Sequence, residues 1–132
     1  MFSMSAHILI IEDNEMSLAL ADYLLRDAGY TVSSATDGES GMRQALANTA
    51  HLILCDLDLP VIEGPQLVQA LRANGDWRKV PVLAFTAAST EGQLRALAAD
   101  FDGYIVKPVD PGSFAATIGQ HLPRAAQGQS AE

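Results

Sequence analysis

The stretch Leu52-Ile53-Leu54-Cys55-Asp56, four apolar residues closed by a carboxylate, decides the fold. An apolar run this short, bounded by polar residues, indicates a strand buried on both faces. The other runs of this form are Ile8-Leu9-Ile10-Ile11 before Glu12-Asp13, Val82-Leu83-Ala84-Phe85 before Thr86, and Tyr104-Ile105-Val106 before Lys107-Pro108. In an open parallel sheet every strand delivers its C-terminal residue to the same edge. Three carboxylates, one hydroxyl and one ammonium should therefore converge on one crevice.

Strands and helices alternate along the chain. The expected strands lie near residues 7–11, 30–35, 51–55, 81–85 and 103–106, and the expected helices near 15–28, 38–48, 65–74, 90–99 and 111–121. This alternation predicts an α/β fold of parallel βα units, with right-handed crossovers and helices on both faces of the sheet. The stretch Thr31-Val32-Ser33-Ser34-Ala35 is the least apolar strand, so it fits an edge.

Composition narrows the class of protein. The 132 residues suit one domain, expected over residues 6–122, with a tail over 123–132 that holds no domain. The net charge of -8 argues against nucleic-acid binding. Because no apolar stretch approaches the roughly 18 residues of a membrane span and the N-terminus does not read as a signal peptide, the cytoplasm is the expected location, with no membrane contact.

The cysteine is expected to be structural, and the histidines are expected to be structural or to lie at the surface. Cys55 is the sole cysteine, so there is no disulfide within the chain and no cysteine-based metal site. Its place in an apolar run predicts a small buried residue rather than a reactive thiol. The histidines share no spacing that would indicate a site, and they stand at His7, His51 and His121.

The residues expected at the crevice suit phosphoryl transfer to a carboxylate. An aspartate can attack phosphorus and form an acyl phosphate, in a reaction that needs positioning and charge neutralisation above all. Mg²⁺ prefers oxygen ligands, which Asp13 and Asp56 can supply directly, while Glu12 is better placed to act through a bound water. The groups expected to contact the phosphoryl oxygens are the Lys107 ammonium, the Thr86 hydroxyl and the backbone N–H of Ala87.

These residues also carry a family resemblance. Over roughly residues 6–122 the chain resembles the receiver domain of bacterial two-component response regulators. The pieces that match are Glu12-Asp13-Asn14, Asp56-Leu57-Asp58-Leu59-Pro60, Gly64, Thr86-Ala87 and Tyr104-Ile105-Val106-Lys107-Pro108. The resemblance implies a flavodoxin-like, doubly wound sheet of five parallel strands in the order 2-1-3-4-5.

The resemblance further implies roles for single residues. Asp56 is the implied phosphorylation site, and the backbone carbonyl of Asp58 is an implied further ligand of Mg²⁺. The peptide bond between Lys107 and Pro108 is implied to be cis. Thr86 and Tyr104 form the implied switch, in which the tyrosine ring turns inward when the threonine moves toward the phosphoryl group.

The first helix carries two apolar stripes, one of Leu18, Ala21, Leu25 and Ala28, the other of Met16, Leu20 and Tyr23. A surface helix normally needs one such stripe, so the second indicates deep burial or a partner surface. The resembled family docks its histidine kinase or phosphotransfer protein on this helix. We therefore expect Met16, Leu20 and Tyr23 to face that partner, the alternative being that they pack on the last helix.

The sequence thus favours a single-domain receiver that is not an enzyme, although it assists its own phosphorylation and dephosphorylation. It would signal to an unknown downstream protein, as a monomer or a homodimer, and could equally be cut from a hybrid kinase.

A second interpretation is a haloacid-dehalogenase-like phosphatase, with Asp56 as nucleophile and Asp58 as general acid or base. That family places its motif on the N-terminal strand, before its acidic pair, whereas Glu12-Asp13 comes first here. A flavodoxin-like cofactor carrier would need a phosphate-cradling loop after the first strand, which is missing.

Overall fold

The computed structural model describes residues 6–47, 50–57, 64–73, 80–87 and 101–122. The strands are β1 (His7–Ile11), β2 (Thr31–Ala35), β3 (Leu52–Asp56), β4 (Val82–Thr86) and β5 (Gly103–Val106). The helices of the described part are α1 (Glu15–Asp27), α2 (Gly38–Ala47), α3 (Gly64–Ala73) and α4 (Phe114–His121). The helix expected near 90–99 and the tail at 123–132 lie outside these residues. No described helix is both long enough and apolar enough to cross a bilayer.

The five strands form one parallel sheet in the predicted order, β2-β1-β3-β4-β5. All five residues of β3 and of β4 are buried, as their unbroken apolar runs predict. The expectation of full burial is wrong for β5, where Tyr104 is 38% exposed and Val106 is 40% exposed. The reason is position, because β5 is an edge strand with a paired neighbour on one side.

Apolar side chains fill both faces of the sheet, because successive strand residues point to opposite sides. The cluster on the side of α1 and α4 includes Ile8, Ile10, Ala21, Leu25, Leu54, Phe85, Phe114 and Ile118. The cluster on the side of α2 includes Leu9, Ile11, Ala45, Ile53, Cys55, Ala84 and Phe101. Cys55 is 0% exposed, and burial raises the pKa of its thiol, so it is a core residue, as predicted.

Local side-chain hydrogen bonds stabilise the starts of α1 and α4. Asn14 caps α1, since its Oδ1 accepts the Ser17 N–H at 2.9 Å. The helix ends at Asp27, one residue before the expected end, and Ala28 is its exposed C-cap. Helix α4 begins three residues later than the expected start at 111. The preceding turn is closed by Asp110, whose Oδ2 accepts the Ser113 hydroxyl at 2.7 Å.

Two histidines meet at the edge of the sheet opposite the crevice. The His7 N–H donates to Nδ1 of His51 at 2.8 Å, and the His51 N–H donates to the His7 carbonyl at 2.8 Å. The His7 ring lies 2.7 Å from Thr31 Oγ1 and 2.9 Å from Ser33 Oγ. The structural role expected of these two histidines is therefore confirmed. Their contact results from the register of the strands, and the spacing of the histidines in the sequence does not predict it.

This arrangement predicts a pH-dependent stability. Burial, with smaller contributions from His51 and Arg26, lowers the pKa of His7. As pH falls through about 6.5 the unfolded chain gains a proton on His7 before the folded chain does, so the stability present above that pH is lost. We expect the melting temperature to fall between about pH 7.5 and about pH 5.5, and to fall less in His7→Gln. His121→Gln is the control, and an identical slope in all three proteins would contradict the prediction.

Candidate functional site

Three carboxylates meet at the carboxyl edge of the sheet. Glu12 and Asp13 follow β1, Asp56 ends β3, and the register pairs Ile11 with Cys55, so the two strands deliver their acids side by side. One oxygen from each of the three carboxylates lies within 4.8 Å of the others. Glu12 is 0% exposed and Asp56 is 6% exposed, whereas Asp13 lies at the exposed rim. The cluster has the hard oxygen donors and the close spacing that fit a divalent cation such as Mg²⁺.

The ammonium of Lys107 enters this cluster from β5. Its Nζ lies 2.5 Å from Glu12 Oε1 and 3.6 Å from Asp56 Oδ2, and its side chain is 17% exposed. The Lys107 N–H donates to the Thr86 carbonyl at 2.7 Å, which ties the residue to β4. The peptide bond from Lys107 to Pro108 is cis, as predicted. The site thus places the partly buried ammonium of Lys107 between two buried carboxylates.

The close contact between Glu12 and Lys107 was not foreseen from the sequence. Glu12 is expected there as a residue acting through water, yet its Oε1 pairs with Lys107 and its Oε2 accepts the Asn14 N–H at 3.0 Å. A second unforeseen contact is that of Lys107 with Phe85, whose ring centroid lies 4.9 Å from Nζ. Phe85 immediately precedes Thr86, but nothing in an apolar strand distinguishes a ring that meets a cation from one that fills the core.

Thr86, the expected source of a hydroxyl at the crevice, stands at the same edge of the sheet. Thr86 ends β4, is 7% exposed and is paired in register with Val106 of β5. Ala87 follows it at an exposed position. Asp58, the expected source of a further metal ligand, lies outside the described residues. Tyr104, the expected switch residue, stands on β5 and is partly exposed.

The second apolar stripe of α1 faces outward. Met16 is 83% exposed, Leu20 is 38% exposed and Tyr23 is 64% exposed, whereas Ala21 and Leu25 of the first stripe are buried. The alternative that the second stripe packs on the last helix is therefore wrong. Beside it opens an apolar pocket of about 400 Å³, whose described lining is Met16, Ser17, Leu20, Phe85, Lys107, Pro108 and Val109. The pocket and the carboxylate cluster share Lys107.

Comparisons with known proteins agree with this geometry. The sequence model of one protein family, the response regulator receiver domain, matches residues 8–119 of this chain. Regulatory protein VanRB of Enterococcus faecalis is 36% identical over 106 residues, covering 80% of this chain and 47% of that protein. The chain spans about half the length of several of the curated relatives it matches. The polar-differentiation response regulator DivK of Brucella anthropi is 30% identical over 120 residues, covering 90% of this chain and 98% of DivK.

Solved structures show the same fold. The receiver domain of a sensor histidine kinase from Pseudomonas aeruginosa superimposes with a TM-score of 0.81 at 29% identity, covering 89% of this chain and 98% of that one. That structure holds a magnesium ion coordinated in its active site cleft. The comparisons offer no support for a haloacid-dehalogenase-like phosphatase.

Proposed function

This chain belongs to the response regulator receiver domain family, and on that premise we propose that it serves two-component signalling by accepting a phosphoryl group on Asp56. The observation that carries the proposal is the place of Asp56 at the end of β3, clustered with Glu12 and Asp13 and 3.6 Å from the Lys107 ammonium. The donor would be the phosphohistidine of a histidine kinase or phosphotransfer protein. Output would pass to a downstream protein, or to a second copy of the chain, through residues 6–122.

The proposed reaction is an in-line phosphoryl transfer. A carboxylate oxygen of Asp56 attacks the phosphorus, and the new O–P bond forms as the N–P bond of the donor breaks. The leaving imidazole nitrogen keeps the electron pair and takes up a proton. Lys107 would turn from Glu12 to one phosphoryl oxygen, the Thr86 hydroxyl would donate to another, and the Ala87 N–H would be a further donor. Each transfer leaves one phosphoryl group on Asp56, so labelling is expected to be stoichiometric.

Asp13 and Asp56 would hold the metal directly, with the backbone carbonyl of Asp58 as a further ligand. A bound Mg²⁺ would supply positive charge to the phosphoryl oxygens. Before the transfer, Glu12 would orient a metal-bound water with one oxygen while its other oxygen contacts Lys107. The support for this arrangement is the spacing of the three carboxylates and the preference of Mg²⁺ for one or two of them with several waters.

The experiment that tests the function is intact-mass analysis with a small phosphodonor such as acetyl phosphate, with and without Mg²⁺. The expected result is saturation at one phosphoryl group per chain, only when Mg²⁺ is present. Hydrolysis of p-nitrophenyl phosphate is measured in parallel. Many turnovers of that monoester, without a stable labelled chain, would instead favour a phosphatase.

Metal binding is expected to change stability. Three carboxylates in one crevice repel one another, and Lys107 offsets only part of that repulsion. Because Mg²⁺ would bind the folded site and not the dispersed chain, it should stabilise the protein by about 1.4 kcal/mol at ten times its Kd and about 2.7 kcal/mol at one hundred times. Asp13→Ala should raise the melting temperature of the metal-free protein and abolish the response to Mg²⁺.

The matched control for that variant is Asp27→Ala, which removes the same charge from the far end of α1. The length of the helix places it on the order of 20 Å from the cluster. It should keep the full Mg²⁺ response. A wild-type melting temperature that stays constant across millimolar Mg²⁺ would contradict the proposed metal site.

The outward stripe of α1 is the proposed docking surface for the phosphodonor protein. Met16, Leu20 and Tyr23 are exposed, and the adjoining apolar pocket reaches Lys107. A partner seated there would place its phosphohistidine beside Asp56. Single polar substitutions in the stripe should slow transfer from the partner while leaving labelling by a small phosphodonor unchanged.

Tyr104 is the proposed reporter of the phosphorylated state. A phosphoryl dianion should draw the Thr86 hydroxyl toward it and open space behind it for the Tyr104 ring. If phosphorylation is to switch nearly all molecules, the phosphoryl group must stabilise the state with the ring turned inward by a few kcal/mol relative to the outward state. Saturating beryllofluoride with Mg²⁺ should therefore shift the NMR signals of Tyr104 and leave those of Tyr30, the internal control, nearly unchanged. If Tyr104 does not respond at saturation, output must use another surface.

A further inference from the structure

The ammonium of Lys107 is in contact with two kinds of group. On one side lie the carboxylates of Glu12 and Asp56, and on another lies the ring of Phe85, with its centroid 4.9 Å from Nζ. We propose that Phe85 is a positioning residue for Lys107, whose ring holds the ammonium at the crevice through a cation–π interaction. This inference rests on the proposed role of Lys107 in the phosphorylation of Asp56.

The need for such a contact follows from the surroundings of Lys107. Lysine carries a point charge on a flexible four-carbon stem, so its position must be fixed by what it touches. The adjoining pocket is lined mainly by apolar side chains, among them Met16, Leu20 and Val109. These side chains cannot attract an ammonium, whereas the negative face of an aromatic ring can, within about 6 Å of its centroid. The contact is strengthened by desolvation, and the Lys107 side chain is only 17% exposed.

The ring itself is held rigidly. Phe85 is 1% exposed and stacks on Phe114 of α4, with the ring centroids 6.4 Å apart and the planes at 22°. In the sheet Phe85 is paired with Asp56 on one side and with Ile105 on the other. The ring is therefore fixed by the same strand register that places the proposed phosphoryl acceptor. Leucine at position 85 would fill much of the volume but would present no π face.

The contact also fits the proposed reaction. When a phosphoryl group reaches Asp56, Lys107 must leave Glu12 for a phosphoryl oxygen. A cation–π contact has no fixed hydrogen-bond direction, so the ammonium can make this small movement while it stays over the ring. Phe85 would thus keep Lys107 near the crevice in both states.

The test separates the electrostatics of the ring from its shape. Fluorinated phenylalanines with one, two and three ring fluorines are introduced at position 85, since fluorine progressively weakens the negative face while nearly preserving size. The matched control is the same series at Phe101, a core ring that packs in the cluster on the α2 side of the sheet. Phe85→Leu is measured as well, and the fluorinated series remains informative if that variant is unstable.

Lysine occurs only at positions 79 and 107, so ¹³C-lysine labelling gives two ε-carbon signals, and Lys79→Arg leaves one. In metal-free protein the order parameter of the Lys107 ε-carbon should fall stepwise with fluorination at position 85 and stay constant with fluorination at position 101. With Mg²⁺ and acetyl phosphate, the labelling rate should fall about three- to tenfold for the trifluorinated ring. Constant order and rate across the series would overturn the proposal, since core packing alone would then explain Phe85.

The relaxation measurement needs no phosphorylation. If the wild-type protein accepted no phosphoryl group, the proposed function would fail, while the order parameters would still show whether the ring holds Lys107. If labelling is normal and the order parameters do not change, the function stands and the positioning role of Phe85 is wrong.

Discussion

Replacing Asp56 with asparagine is expected to abolish labelling by acetyl phosphate, because the substitution removes the nucleophilic oxygen pair and keeps the shape of the side chain. Asp56 is buried at the end of β3, and its Oδ2 lies 3.6 Å from the Lys107 ammonium. An uncharged amide cannot form the acyl phosphate that the reaction requires. Intact-mass analysis should show no added phosphoryl group in Asp56→Asn under conditions that label the wild-type chain fully.

Asp13 is the residue that could be mistaken for the acceptor, since it belongs to the same cluster. Asp13→Asn should slow labelling but leave Asp56 as the modified position on peptide mapping. Asp27→Asn, at the far end of α1, should be labelled like the wild type. Labelling that persists in Asp56→Asn and disappears in Asp13→Asn would transfer the acceptor role from β3 to the rim of the site.

Much of the fold could be predicted because its signals are local. Four apolar runs, each closed by a polar residue, placed strands within one residue of their observed ends, and the order 2-1-3-4-5 followed from the family resemblance. The convergence of Glu12, Asp13, Asp56 and Lys107 was likewise predictable, because parallel strands place their C-terminal residues at one edge. These are properties of the backbone, which strand pattern and connectivity largely determine.

The rest depended on where side chains point and on how exactly the strands pair. Lys107 pairs with Glu12 and lies over Phe85. Both contacts depend on the side-chain rotamers, which the spacing of residues in the sequence does not predict. The contact of His7 with His51 requires the β1–β3 register. The apolar run of β5 alone suggests full burial, whereas the exposure of Tyr104 follows from the edge position that the strand order 2-1-3-4-5 gives to β5.

The buried ion pair leads to the largest expected change in stability. Lys107→Met keeps most of the aliphatic stem but removes the charge that lies 2.5 Å from Glu12, a carboxylate with 0% exposure. Removing one partner of a buried pair typically costs about 3–5 kcal/mol, because the remaining charge is left without compensation. For a chain of this size that loss corresponds to a melting temperature lower by roughly 10–20 °C.

The exposed pair of Arg43 and Glu39 provides the matched control. Its atoms are 3.6 Å apart and its side chains are 69% and 67% exposed, so Arg43→Met should change the free energy of unfolding by less than about 1 kcal/mol. If Lys107→Met is no more destabilising than Arg43→Met, the buried pair is not formed in solution.

A double variant separates the lost charge from the lost packing. In Glu12→Gln with Lys107→Met the ammonium and the fully buried carboxylate nearest to it are removed together, so much of the stability should return. The labelling rate should not return with it, because the positive charge beside the phosphoryl oxygens is still missing. That deficit is expected to be about 10²- to 10³-fold, the scale found when one preorganised electrostatic group is removed from a transition state. Recovery of stability without recovery of rate would assign Lys107 two separable roles, as the counterion of Glu12 before the reaction and as a contact for the phosphoryl group during it.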